Sequence, residues 1–424
     1  NMSSEESIFY VSDALSVTPL EIVLGVTFLS FLVRSVADDS WRFRRARLFW
    51  PMAIFAAFVA LGFVRGVFGG GDRPIAIIEA RPLLYLPVVY VLVTNLILKP
   101  EQYRRLFFAA MVAIGIQSVF SLNFYLHLSE EKKRNLETLS EHSATVHMNT
   151  LFLLMLALLL FDGTKTKRRW LALLAVPVVV AYLLSQRRAA MVAMVVGLVL
   201  LFGVLFHRRR RIFWLVTPAG VVMSLAFVLA TWNAGGAIGM PATAVKSVLF
   251  PDQLSEEDLI SNIYRDLEAF NLWVTVRSDP IRGFGFGHKF IVAAPMPDIS
   301  KFFPDWQYIP HNSTMWVWIK TGFFGFAAML VWIARGVQLG ARAAVRIVSA
   351  DDAAMVVAAL GYVAMFAVFN YVDIGWSIRP AVFLALCLAL CCDFERVAET
   401  RDPAPDDGVG RRVVRPALVS ARAA

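Results

Sequence analysis

Long apolar runs separated by short, basic connections dominate this chain. A bilayer core takes roughly 20 apolar residues per helix. Segments of that kind lie near 17–34, 48–64, 82–98, 106–127, 147–161, 170–185, 189–206, 212–232, 312–333, 353–371 and 380–394. Most are apolar on every side rather than along one stripe, as helices in lipid are. The pattern predicts an all-α polytopic membrane protein with about 11–12 transmembrane helices.

One connection, residues 233–311, is far longer than the rest. It opens with Asn233 to Gly239, glycine-rich and read as a flexible exit from the membrane. Ser255-Glu-Glu-Asp258 predicts a capped helix start. Ile260, Ile263, Tyr264, Leu267, Phe270 and Val274 then recur at helical spacing, giving this helix an apolar face expected to lie on the membrane domain. Asp279-Pro280 ends it, and Gly283, Gly285 and Gly287 form a turn whose backbone can approach another group closely. The chain thus divides into helices over 1–232 (about eight), a partly helical outer loop over 233–311, about three helices over 312–395, and a polar tail, 396–424, expected to be disordered and cytoplasmic. Asn1 to Ser7 is acidic rather than basic, so the first apolar run is expected to stay as a span.

Composition agrees: 58% of residues are hydrophobic and 17% charged, against roughly 25% charged in soluble chains, which argues against a soluble enzyme. The net charge of +9 would invite a nucleic-acid reading if the basic residues formed one patch. Instead they sit in alternate connections: Arg42 to Arg47, Lys99 to Arg105, Lys165 to Arg169, Arg208 to Arg211 and Arg335 to Arg346. That is positive-inside bias, which makes those loops cytoplasmic, puts the long loop outside, and leaves the lipid bilayer rather than nucleic acid as the partner. Cys387, Cys391 and Cys392 fall in one apolar run and read as small buried residues.

The outer face carries no Asp-x-Asp. It offers Asp72 and Glu79 in an early loop, Glu130-Glu131, and Glu256-Glu257-Asp258, whereas the Asp pairs at 38–39, 351–352 and 406–407 are cytoplasmic. No metal and no other cofactor is expected. His311, in Pro310-His-Asn-Ser313 at the outer end of a span, reads as an interfacial helix cap or as a base for a hydroxyl proton. Arg187 and Arg188, between two spans with almost no loop, either snorkel or bind an anion such as phosphate. Arg265 points away from the apolar stripe of its helix, as a solvated charge or an anion ligand. Asp373, at the outer end of a late span, is a helix-end carboxylate or a group that orients a histidine.

In this order, the stretches resemble the O-antigen ligase and polymerase superfamily of bacterial inner membranes. Leu184-Ser-Gln-Arg-Arg-Ala189 is similar to its Ser/Thr-x-x-Arg-Gly/Ala element. Arg265 followed by Asp279-Pro-Ile-Arg-Gly-Phe-Gly285 is similar to its Arg, then (His/Asp)-Pro-x-x-Gly-x-Gly. Pro310-His-Asn-Ser313 with Thr321-Gly-Phe-Phe-Gly325 resembles its His-Asn-Ser and Gly-x-x-Gly span. The resemblance implies an inverting, metal-independent glycosyltransferase at the periplasmic face of a Gram-negative inner membrane. Its donor would be a glycan on undecaprenyl diphosphate and its acceptor a hydroxyl of the lipid A-core oligosaccharide. His311 would be the base, Arg188 and Arg265 would hold the diphosphate, and Arg187, Asp373 and Asn312 would be supporting residues. Arg187 stands where the pattern has a small or polar residue, so either Arg187 or Arg188 could face the phosphates. Lys320, within an apolar span, either snorkels or touches the donor. The same resemblance admits a polysaccharide polymerase or a protein glycosyltransferase, and the span pattern alone admits a lipid-linked-sugar transporter.

Overall fold

The computed structural model describes residues 9–12, 15–37, 43–129, 139, 141–185, 187–301 and 303–399. A short antiparallel hairpin, β1 (Phe9–Ser12) and β2 (Leu15–Val17), precedes the helices. These are α1 (Pro19–Ala37), α2 (Phe49–Phe68), α3 (Arg73–Leu96), α4 (Pro100–Leu126), α5 (Ala144–Leu160), α6 (Lys165–Ser185), α7 (Arg188–Arg208), α8 (Arg210–Ala230), α9 (Gly236–Leu249), α10 (Glu256–Ser278), α11 (Ser313–Arg346), α12 (Ala350–Val372) and α13 (Ile378–Glu399). Among the described residues, nine helices (α1–α4, α6–α8, α11 and α12) are long and apolar enough to cross a membrane. α5 is apolar but shorter, and α13 carries charges at both ends. Each predicted apolar run falls on one helix of this all-α polytopic fold.

The boundaries differ from the sequence pattern in instructive places. α3 begins at Arg73, because Asp72 caps it by accepting from the Ile75 N–H at 3.1 Å and Pro74 suits the first turn. Glu79, expected as a loop carboxylate, therefore lies inside a helix and is buried. Gly236 to Gly239, expected as part of a flexible exit, instead opens α9, which packs on α7 and α8. α11 runs on to Arg346 through a break at Gly322 (φ 71°, ψ −177°). α13 continues to Glu399; the rest of the polar tail, Asn1 to Ser7, the acidic pairs at 38–39, 130–131 and 406–407, and Arg42 lie outside the described residues.

α12 is the central helix, almost wholly buried against α5, α7, α11 and α13. Small residues let it approach its neighbours: a side chain at Gly361 would strike Leu153, and one at Gly197 would strike Leu153 and Met365. At the end of the bundle that carries the basic connections, Arg104 grips Asp352 with two bonds of 2.7 Å, and Arg44 grips Asp393 at 3.0 and 3.1 Å. The three cysteines are free and buried in α13.

The long loop between α8 and α11 is fastened to the helices backbone to backbone. Phe284 N–H donates to Ile319 O at 2.7 Å, Phe286 N–H to Gly62 O at 3.2 Å, and Asp72 N–H to Gly287 O at 2.9 Å. Gly285 (φ 84°) is enforced twice over, since a Cβ there would lie 2.6 Å from Gly66 N and 2.7 Å from Gly62 O. Beneath this turn the Lys320 ammonium contacts Glu79 Oε1 at 2.7 Å and donates to His288 O at 2.7 Å, while Glu79 Oε2 accepts from Gly287 N–H at 2.6 Å. Lys320 is therefore half of a buried ion pair rather than a snorkelling side chain.

α10 is turned from the expectation: of its expected apolar face Tyr264, Leu267 and Val274 are half-buried, and the inward face holds Leu272 and Val276 beside polar residues. Ile260, Ile263 and Phe270 are 58%, 49% and 52% exposed, while Glu268, Asn271 and Thr275 are buried. The reason lies in the irregular segment 291–294, whose backbone needs partners that no strand or helix supplies. Asn271 accepts from Ala293 and Ala294 N–H at 2.9 and 2.7 Å and donates to Ala294 O, and Thr275 accepts from Ile291 N–H. That demand turns the polar row inward.

Candidate functional site

Five pieces of chain meet at the end of the bundle opposite the basic connections: the α6–α7 turn, α10, the segment leading into α11, the turn after α12, and residues 141–143. Almost no loop separates Ser185 from Arg188, which begins α7, so two arginines are held at a helix junction. Their side chains part company. Arg187 Nη1 reaches Asp373 Oδ2 at 3.4 Å, while Arg188 Nη2 reaches Asp258 Oδ1 on α10 at 3.3 Å. The other terminal nitrogen of Arg188, Nη1, is buried and meets no hydrogen-bond acceptor among the described residues. A buried guanidinium with a spare donor is incomplete without an anion or water.

His311 is fixed by a residue that the sequence had not singled out. Glu268 Oε2 accepts the His311 backbone N–H at 2.9 Å, and Oε1 lies 3.2 Å from His311 Nδ1. Glu268 is only 2% exposed. A carboxylate can only accept, so the ring presents Nδ1–H to it and leaves Nε2 without a partner among the described residues. The ring of Tyr264 stands edge-on to the imidazole at 5.8 Å, and its hydroxyl is buried without a partner among the described residues. Burial, then the charges of Glu268 and Asp298, hold that phenol well above its ordinary pKa, so it remains a neutral donor.

Arg265 lies one turn before Glu268 on α10, and its charge acts on both Arg188 and Asp373. Asn312 acts locally, its side chain capping α11 by accepting from Met315 N–H at 2.9 Å. Ser313 then ties that helix start to the turn after α12, donating to Asp373 O and accepting from Gly375 N–H, both at 3.2 Å.

Asp373 does hold a histidine, but it is His142 rather than His311. Nδ1 of His142 lies 2.9 Å from Asp373 Oδ1, and Asp373 is fully buried. Burial alone would raise the pKa of this carboxyl. The hydrogen bond and charge of His142, with the charges of Arg187 and Arg265, prevail and hold it far below the usual carboxylate range.

The structure thus brings together Arg187, Arg188, Arg265, His311 and Asp373, places Asn312 beside them as a cap, and adds Glu268, His142, Tyr264 and Asp258. Glu268 has a sequence signal, since Tyr264, Glu268, Asn271 and Thr275 form a polar row at helical spacing. His142 has none, lying in a short connection without periodicity. Among the described residues, no three His, Cys, Asp or Glu side chains gather as a metal ion would require.

The family model described as O-Antigen ligase matches residues 174–330, from within α6 to just beyond the Gly322 break in α11. This range contains Arg187, Arg188, Arg265, Glu268 and His311 and agrees with the resemblance read from the motifs; it supports membership in that superfamily. No curated protein matches the chain.

Proposed function

Taking the chain as a member of the O-antigen ligase superfamily, we propose that it is an O-antigen ligase. It transfers a glycan, with inversion, from undecaprenyl diphosphate to a sugar hydroxyl of lipid A-core at the periplasmic face of the inner membrane, completing lipopolysaccharide. The observation that carries this reading is the pairing of His311 with buried Glu268, one helical turn from Arg265, together with the unpartnered nitrogen of Arg188. Glu268 fixes the tautomer in which Nε2 accepts the acceptor's hydroxyl proton. As the acceptor oxygen bonds to the anomeric carbon, the bond to the diphosphate breaks on the opposite face and the electron pair leaves with the phosphate. Arg188 and Arg265 receive that charge with planar forks of donors, supplying the positive charge a metal provides elsewhere. Arg187, held on Asp373, supports the arrangement from behind.

The test is transfer by purified protein in nanodiscs containing an undecaprenyl diphosphate-linked glycan and lipid A-core, with EDTA present. We expect the lipid A-core band to shift, full activity in the chelator, and loss of the shift in His311→Ala with the protein still folded. Longer lipid-linked glycans formed from donor alone would make the protein a polymerase instead. Activity lost in EDTA and restored by Mg²⁺ would refute the metal-independent mechanism.

A further inference from the structure

The proposed transfer uses one histidine, and the site holds two, each built the same way. His142 and His311 both turn Nδ1 toward a buried carboxylate, Asp373 at 2.9 Å and Glu268 at 3.2 Å. Both rings stay partly open, at 27% and 20% side-chain exposure. Neither Nε2 has a hydrogen-bond partner among the described residues. Both carboxylates lie near arginines: Arg187 bonds Asp373, and Arg265, one turn from Glu268 on α10, also bears on Asp373 through its charge. The Ser313 hydroxyl, two residues after His311, adds a link by donating to the Asp373 main-chain carbonyl.

His142 is the foremost of several partners of Asp373, not its only counter-charge. That carboxylate already has Arg187 bonded to it, Arg265 nearby, and the Ile374 N–H at 2.8 Å. A histidine added to a satisfied carboxylate, with its far nitrogen unpartnered, has the form of a group oriented for a ligand. His311, as the acceptor's base, leaves the departing side of the reaction to the arginines, and His142 shares Asp373 with one of them.

We propose that His142 is a second functional histidine of the site, acting as an imidazolium whose Nε2–H donates a hydrogen bond to the departing diphosphate while Asp373 accepts from Nδ1–H; His311 differs in keeping Nε2 unprotonated to accept. This rests on the proposed transferase reading and assigns a residue that reading does not use. In the step, the acceptor O–H proton passes to His311 Nε2, the acceptor oxygen bonds to the anomeric carbon, and the carbon–oxygen bond to the diphosphate breaks. The diphosphate keeps the electron pair, and His142 keeps its proton, acting as a donor to the developing charge rather than as an acid. His311 then releases its proton to solvent, so neither histidine changes state over the cycle.

Two measurements on protein in nanodiscs test this: binding of undecaprenyl diphosphate without turnover, and kcat with KM for each substrate. His142→Ala is expected to bind undecaprenyl diphosphate about tenfold more weakly and to lose about 100-fold in kcat, as removal of one donor to a developing oxyanion does. KM for the lipid A-core acceptor should stay unchanged. His142→Gln, which keeps an N–H donor at similar reach, should recover part of both losses; it also serves if the alanine variant does not fold. Unchanged diphosphate binding and kcat in a folded His142 variant would overturn the proposal and leave the transferase reading intact. So would a change confined to acceptor KM. Wild-type protein that neither binds undecaprenyl diphosphate nor transfers glycan would overturn both.

Discussion

His311 and Arg188 are incomplete as they stand, and the groups around them say in which direction. His311 is oriented through Nδ1 only, so its chemistry depends on Glu268 remaining a pure acceptor. Glu268→Gln offers an amide that can donate as well as accept, and the tautomer is no longer specified. We expect turnover to fall by about 10² to 10⁴, the usual contribution of a positioned acid or base, with little change in thermal stability; a wild-type rate would remove Glu268 from the mechanism. Asp373 has a different signature. Its folded-state pKa lies below the value in an unfolded chain, so it stabilises the fold above the ordinary carboxylate pKa, and that stabilisation fades as pH falls toward the folded value. The unfolding midpoint, read from tryptophan fluorescence at one heating rate, should therefore decline below about pH 4. Asp373→Asn should start lower at neutral pH and show a shallower decline. Arg188 and His311 stood out in the sequence because polar residues at the ends of apolar runs are few, and Arg265 because it lies off the apolar stripe of its helix. The histidine partnered by Asp373 was not, because hydrogen bonds between distant segments leave no periodic trace.

The same contrast holds for helices. Apolar runs mark where each helix lies, since lipid tolerates little else, and every predicted run has its helix. The facing of α10 could not be read that way, because its polar row answers the backbone of segment 291–294. Lys320 was opaque for a similar reason, its partner Glu79 lying on another helix rather than a turn away. That pair joins α3 to α11 with the glycine turn sealed over it. Breaking it with Glu79→Leu strands a buried ammonium and should cost about 3–5 kcal/mol, visible as lower yield and a lower unfolding midpoint in detergent. Glu79→Leu combined with Lys320→Met should recover much of that loss. A single variant as stable as wild type would show that the pair does not secure the turn.

Across the bundle, the basic connections and the catalytic candidates occupy opposite ends, which yields a labelling experiment. The natural cysteines are buried in α13, so a new surface cysteine can be read against a quiet background. Gln253→Cys should react with a membrane-impermeant maleimide added to cells with a permeabilised outer membrane, and Lys165→Cys only after lysis. The reverse pattern would put the site on the cytoplasmic side. The fastening of the outer loop carries a further consequence, for the order in which the protein is made. Glu79 and the Gly62 carbonyl emerge early from the ribosome, but the turn that grips them, the lysine beneath it and Asp373 all come late. A nascent chain therefore carries Arg188, and the Glu268 that orients His311, before the carboxylate that holds His142 has been made. The arrangement around Asp373 is complete only with the turn between α12 and α13, so a chain that stalls before it lacks the carboxylate that holds Arg187 and His142.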